Sequence, residues 1–237
     1  MITYDNMVEA IFIERPNRFI AHCLLDGEEV KVHVKNTGRC EELLIPGTLV
    51  YLQSNNDPKR KTKYSLISVQ KGERLINMDS QVPNKVVYEA LSHKIITLPG
   101  IDEEITYLKG EQTYKQSRFD FYFETKHKKG FIEVKGVTLE EDGVVLFPDA
   151  PTQRGIKHIN ELIEAKKEGY LAYVFFLVQM EGVKYFTPNI KTHKAFGEAL
   201  VLAEEEGVQI MVYDSVITKH SIVINRSVDY YQNRATR

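Results

Sequence analysis

"SRFDFYFETKHKKGFIEVKGVTL", residues 117–139, decides how the chain is read. Side chains on a strand alternate faces. In a hairpin built from this stretch, Phe119, Phe121 and Phe123 share one face while Asp120, Tyr122 and Glu124 share the other. On the second strand Ile132 and Val134 lie opposite Glu133 and Lys135. A six-residue loop at 125–130 pairs Glu124 with Phe131, Tyr122 with Glu133 and Asp120 with Lys135. Asp120, Glu133 and Lys135 then stand together, and the phenylalanines and Ile132 pack the opposite face. A slip of one residue would scatter them.

Two carboxylates at close range repel, and one tends to stay protonated. A bound Mg²⁺ or Mn²⁺ removes the conflict, because hard cations take oxygen ligands. It also acidifies the water it holds. Lys135 beside such a cation can hold the attacking water or neutralise charge growing on a phosphoryl group. The set suits hydrolysis of a phosphodiester. The plainer alternative is a surface hairpin in which Asp120 and Lys135 form a cross-strand ion pair.

Outward from the hairpin, an α/β layer domain is expected over 83–237. "PNKVVYEALSHKI" has helical spacing at Val86, Val87, Ala90 and Leu91, with Pro83 near its first turn. A weak strand is expected near "EEITYL". The helix after the hairpin is expected to be capped by Asp149, with Pro151 in its first turn, an apolar stripe at Ile156, Ile159, Leu162 and Ile163, and Gly169 at its end. "LAYVFFLV" reads as a strand buried on both faces, followed by a helix in "THKAFGEALVLAEEEG" and a strand in "VQIMVYD". Residues 1–82 differ. Five or six short strands with turn signals, among them the alternating Val30, Val32 and Val34, predict a small OB-like barrel, with a brief helix in "NTGRCEELL". The boundary falls at 79–84.

The totals narrow the function. A net charge of −2 means that nucleic-acid binding has to come from local basic patches. Cys23 and Cys40 are too few and too far apart for a metal knuckle or redox pair, so reduced thiols are expected. No secretory signal opens the chain, and its longest apolar run is far short of a membrane span. A cytoplasmic protein is expected.

The residues Phe119-Asp120 and Glu133-Val134-Lys135 resemble the nuclease pattern PD-(D/E)xK, without its proline. More widely, "NTG" (36–38), "PG" (46–47), "KRK" (59–61), "SRFDF", "IEVKGVTL", "FPDA" (147–150) and "TQRGIKHINEL" (152–162) resemble the sugar fermentation stimulation protein A family over about residues 8–225. Two positions depart from the family pattern: His33-Val34-Lys35 stands where a Cys-Pro is expected before "NTG", and Thr62-Lys63-Tyr64 follows "KRK" where a tyrosine is expected at once.

The resemblance implies a two-domain α+β protein: an OB-like N-terminal barrel, a PD-(D/E)xK nuclease-like α/β domain, and DNA binding. It implies Asp120 and Glu133 as ligands of Mg²⁺ or Mn²⁺, with Val134, next to Glu133, in the metal site. It makes Lys135 the catalytic lysine and Glu89, on the helix opening the second domain, a further acid.

Lys59, Arg60 and Lys61, on a loop of the barrel, are candidates for phosphate contact, as are Arg154, Lys157 and His158 at the start of the helix after the hairpin. His158 has the alternative of a hydrogen bond within the fold. Asn36, Thr37 and Gly38 are expected to form a tight turn with Gly38 at positive φ. The functional readings are a metal-dependent nuclease acting on DNA or RNA, with a homodimer as an option, and a non-cutting DNA-binding regulator linked to sugar (maltose) metabolism. A third is an interaction protein whose acids form ion pairs.

Overall fold

The alternating valines of the first half build what their spacing predicts. Val32 and Val34 are buried on β4 (Glu28–Val34). The computed structural model describes residues 1–36 and 38–232; Thr37 lies outside them. A short β1 (Ile2–Thr3) precedes β2 (Met7–Asn17) and β3 (Ile20–Leu25); β5 (Leu49–Ser54), β6 (Tyr64–Lys71) and β7 (Arg74–Asn77) follow β4. β2 pairs with β3 and β5, β3 with β4, and β5 with β6. A parallel pairing of β4 with β6, from Val32↔Tyr64 to Val34↔Leu66, closes the ring. Closure removes the free edges that short strands otherwise leave. This is the expected OB-like barrel.

The brief helix expected in "NTGRCEELL" does not form. Residues 41–43 make a single turn, in which the N–H groups of Leu43 and Leu44 return to the Cys40 carbonyl. Pro46 bars its extension. Cys23 and Cys40 are free and buried, and burial pushes both thiols up to about 12.

The second half opens with α1 (Val82–Ser92), then β8 (Tyr107–Tyr114), β9 (Ser117–Glu124), β10 (Lys129–Val137), β11 (Leu139–Glu141) and β12 (Val144–Phe147). It continues through α2 (Gln153–Lys167), β13 (Leu171–Val178), β14 (Tyr185–Pro188), α3 (Ile190–Glu205), β15 (Gln209–Thr218) and β16 (Ser221–Ser227). The main sheet has the order β1-β16-β15-β13-β10-β9-β8, with β10, β13 and β15 parallel. β13 is its axis. Ala172, Val174, Phe176 and Val178 join one buried layer, with Ile159, Leu162 and Leu200 of α2 and α3. Tyr173, Phe175 and Leu177 join the other, with Val86, Val87 and Ala90 of α1.

The α2 cap differs from expectation. Thr152 is the N-cap, and its side chain accepts from the Gly155 N–H at 3.0 Å. Pro151 therefore lies before the helix, and Asp149 is free to point elsewhere. The strands β11, β12 and β14 lie outside the elements that the sequence predicts. Each has four residues or fewer, too short to show a period, and they form a separate small sheet.

The halves are joined by a buried carboxylate. Glu140 of β11 receives Lys71 Nζ and Arg74 Nη1 from the barrel side, each at 2.7 Å, and the Gly143 N–H. Burial pushes the Glu140 pKa up, but Lys71, the Gly143 N–H and Arg74 together hold it below the usual range. A depressed carboxylate stabilises the fold above its unfolded pKa and loses that contribution as pH falls through the folded value. Glu140→Gln should therefore cost about 2 kcal/mol at neutral pH, since Lys71 and Arg74 keep some access to water. In thermal melts, the gap from the parent protein should shrink as pH drops below the ordinary glutamate range. A gap that does not change with pH would remove charge as the cause.

Candidate active site

The hairpin forms with a shorter loop than predicted. The register is Lys129↔Glu124, Gly130↔Phe123, Phe131↔Tyr122 and Ile132↔Phe121. Tyr122 thus faces Phe131, not Glu133, and β10 begins at Lys129. The shift is two residues. Because faces alternate with a period of two, Glu133 and Lys135 keep their predicted side.

Pairing of the two strands ends at Ile132↔Phe121, just before Asp120. Beyond it the Val134 N–H donates to the carboxylate Oδ2 of Asp120 at 2.8 Å. A side chain thus takes the place of a ladder carbonyl. The irregularity also turns Phe119 away from Phe121 and Phe123. Its ring lies 5.2 Å from Phe131 and 6.1 Å from His158, in the α2 layer, whereas Phe121 meets Tyr88 of α1 at 6.0 Å. The expected common face of the three phenylalanines is therefore broken at Asp120.

Glu133 is 3% exposed, carried inside by its flanking residues Ile132 and Val134. Its Oε1 receives both Lys135 Nζ and His158 Nδ1, the latter at 2.5 Å. Its Oε2 is buried with no hydrogen-bond partner. Burial pushes the Glu133 pKa up, but His158 and Lys135 outweigh it and hold the group down, ionised. Asp120 moves the other way. Burial first, then the charge of Glu133, raises it against the Val134 N–H and the amide of Asn84, which donates to Oδ1 at 2.7 Å. The pair divides as two close carboxylates should, one charged and one inclined to keep a proton.

A divalent cation fits this arrangement. The orphaned Oε2 needs a positive partner, and a second, reluctantly ionised carboxylate stands by. Among the described residues, no group of three or more His, Cys, Asp and Glu gathers around one point. The protein would therefore supply two carboxylates, with water or phosphate completing the shell, as Mg²⁺ tolerates. Val134 contributes its N–H to Asp120 in this arrangement.

The remaining predicted residues divide. Glu89 accepts from the amine of Met1, and the α1 residue that touches Asp120 is Asn84. Nothing in the sequence marks Asn84, since an amide in a helical turn carries no signal of its own. His158 is 4% exposed and turned onto Glu133, so it cannot meet a nucleic-acid backbone, and that expectation is corrected. It is the inward member of its helical turn. Arg154 and Lys157 are exposed on the same turn, Arg154 Nε lying 3.4 Å from His158 Nε2 and Lys157 Nζ reaching the Gln116 carbonyl at 3.2 Å. Lys59 and Lys61 are exposed on the β5–β6 loop, while Arg60 is half-buried and donates to Ser65 Oγ at 2.9 Å.

The tight turn expected at Asn36, Thr37 and Gly38 runs through Thr37 and lies outside the described residues. Gly38 has a reason in space: a Cβ there would lie 2.2 Å from Asp149 Oδ2. Arg15 builds the surrounding loop. Its guanidinium donates to the carbonyls of Arg18, Asn36, Gly38 and Arg39 at 2.7–2.8 Å. No local pattern announces an arginine whose partners are distant backbone oxygens.

Known proteins show the same plan. Residues 13–78 match the model described as "SfsA N-terminal OB domain", and residues 81–221 match "Sugar fermentation stimulation protein RE domain". The sugar fermentation stimulation protein homolog of Clostridium beijerinckii is 57% identical, over 95% of this chain and 98% of that protein. The homolog of Desulfitobacterium hafniense strain DSM 10664 / DCB-2 is 58% identical, over 92% and 93%. A solved structure described as "The structure of Pyrococcus Furiosus SfsA in complex with Ca2+" superposes with a TM-score of 0.85 at 26% identity, covering 97% of this chain and 98% of that one. The expected resemblance holds over nearly the whole length, and the chain belongs to the sugar fermentation stimulation protein family.

Proposed function

We propose that the protein is a Mg²⁺- or Mn²⁺-dependent nuclease that hydrolyses phosphodiester bonds of DNA or RNA, with a PD-(D/E)xK-like site at Asp120, Glu133 and Lys135. One observation carries the reading: the buried, unpartnered Oε2 of Glu133, beside a second carboxylate that burial and Glu133 itself discourage from ionising. Ion-paired Glu161 and Asp214 also leave a buried oxygen without a hydrogen bond, so it is the second carboxylate beside Glu133 that sets this site apart. The Pyrococcus furiosus relative is described in complex with Ca²⁺, another hard, oxygen-seeking cation.

Asp120 and Glu133 would hold the cation. When bound, it would supply positive charge to offset the charge that grows on a phosphodiester under attack. The Val134 N–H and Asn84 fix the direction of Asp120. His158 does the same for Glu133. His158 gives Lys135 its freedom: Lys135 can leave Glu133 Oε1 for a phosphate without orphaning that oxygen. Its ammonium then faces the charge that grows in the transition state. Lys59, Lys61, Arg154 and Lys157 supply exposed cations for backbone phosphates, which they would grip without reading sequence.

In a gel assay with Mg²⁺, Mn²⁺ or EDTA on single- and double-stranded substrates, cleavage should require metal. It should fall by about 10²–10³ in Lys135→Ala and vanish in Asp120→Asn. Retarded bands in EDTA with no cleavage in either metal would replace the nuclease with the non-cutting regulator.

Mn²⁺ at about one hundred times its Kd should stabilise the protein by about 2.7 kcal/mol. Asp120→Asn should abolish that gain. It should also keep the metal-free protein within about 1 kcal/mol of the parent at neutral pH. A raised carboxylate costs stability as pH rises from its unfolded to its folded pKa, and asparagine removes that charge while losing one of the two hydrogen bonds from Val134 and Asn84. A variant that melts well below the metal-free parent would show Asp120 to be structural. Lys59→Ala and Lys61→Ala should each reduce the slope of log affinity against log salt by about one. An unchanged slope would take the β5–β6 loop out of the interface.

A further inference from the structure

A polar cleft of about 160 Å³ lies where the barrel meets the second domain. That is room for about five waters at ~30 Å³ each, far below a drug-sized pocket. Its lining includes Asn36 of the barrel, Ser80 of the linker, and Thr138, Phe147, Asp149 and Gln179 of the second domain, with Gly38 and Gly136 in its walls.

The cleft adjoins the candidate active site along two elements. Gly136 follows Lys135 on β10, about 10 Å from Glu133 at ~3.3 Å per residue. Pro83, against which a Gly136 Cβ would lie at 2.8 Å, precedes Asn84, the partner of Asp120.

Both wall glycines make room for an acceptor oxygen. A Cβ at Gly38 would sit 2.2 Å from Asp149 Oδ2, and one at Gly136 would sit 2.4 Å from Gln179 Oε1. Gln179 spends its Nε2 protons on Asn77 and the Asp79 carbonyl, which leaves its carbonyl oxygen on the cleft side. Asp149 makes no hydrogen bond to another described residue. Asn36 is oriented oppositely. Its Oδ1 accepts the Gly38 N–H at 2.8 Å, so its amide NH₂ is available. The cleft thus offers two acceptors and one donor, with Phe147 in its lining.

We propose that this cleft receives a single nucleobase bearing an exocyclic amino group, from the strand whose phosphate lies at Asp120 and Glu133. The proposal rests on the nuclease reading of that neighbouring site. The amino group donates to Asp149 and Gln179, a ring nitrogen or carbonyl accepts from Asn36, and the ring lies against Phe147. Uracil and thymine present a carbonyl where the amino group would stand, so they set oxygen against the carboxylate of Asp149. A site that bonds a donor rejects an analogue lacking it, because its own polar groups are left unpaired. The volume admits one base. It suits a strand end or an unstacked nucleotide, not an intact base pair.

The test is calorimetric titration of the full-length protein in EDTA with dCMP and dUMP, which differ in the 4-amino group, replaced by a carbonyl in dUMP, and in N3, which accepts in dCMP and donates in dUMP. Binding of dCMP should be at least about tenfold tighter than that of dUMP. Asp149→Asn, the same size with a donor in place of one acceptor, should cancel or reverse the preference. Asp149→Ala should lose dCMP affinity without gaining dUMP. Equal affinities, no binding of either nucleotide at millimolar concentration, or a preference indifferent to both variants would each overturn the proposal. Cleavage assays run in parallel separate the two readings. A base preference without cleavage removes the nuclease and keeps the cleft; metal-dependent cleavage without a base preference does the reverse.

Discussion

A carboxylate pulled under the surface by its own strand governs the rest of this molecule. Glu133 sits between Ile132 and Val134 on β10, the strand next to the axis of the sheet, and those neighbours leave it no exposed position. A buried charge must be paired or it will be neutralised. His158 and Lys135 hold one oxygen, and the other has nothing. Around that deficit the ladder opens at Asp120, α2 turns a histidine inward, and α1 sends an amide to the second carboxylate. Each of these contacts answers a buried carboxylate: His158 and Lys135 serve Glu133, and the Val134 N–H and Asn84 serve Asp120.

Much of this plan was legible in the residues. The fold class was, because alternation at Val30, Val32 and Val34, helical spacing in α1 and α2, and the all-apolar β13 are periodic signals of adequate length. The grouping of Glu133 and Lys135 was, because strand parity survives any even error of register. The exact register was not. It depends on the length of the turn, and the turn residues 125–128 carry nothing that distinguishes four from six. The fate of Phe119 was hidden for a related reason. A break in pairing is a tertiary event, set here by the Asp120 carboxylate replacing a carbonyl.

Other features were invisible because their causes lie far apart in the chain. At Gly38 nothing local announces Asp149, more than a hundred residues away, whose carboxylate a side chain there would strike. Asp149 reads as a helix cap, yet Thr152 holds that post and leaves the carboxylate free. Arg15 and Asn84 carry no motif, since an arginine or an amide is informative only once its partners are known. His158 offered a phosphate contact and an internal bond. Burial selects the second.

The barrel and the α/β layer share one continuous apolar interior: Val50, Leu66 and Ile76 belong to the same cluster as Ile159, Val174 and Leu200. Their junction is sealed as well by Glu140 with Lys71 and Arg74, and by Gln179 with Asn77. The linker at 79–81 is therefore a hinge in name only. Modularity at the level of family models does not extend to mechanics, and scission there would yield two fragments with raw hydrophobic faces instead of two working parts. Grafting one half onto a foreign partner would have to reproduce that seam, so the two halves are bound to change together.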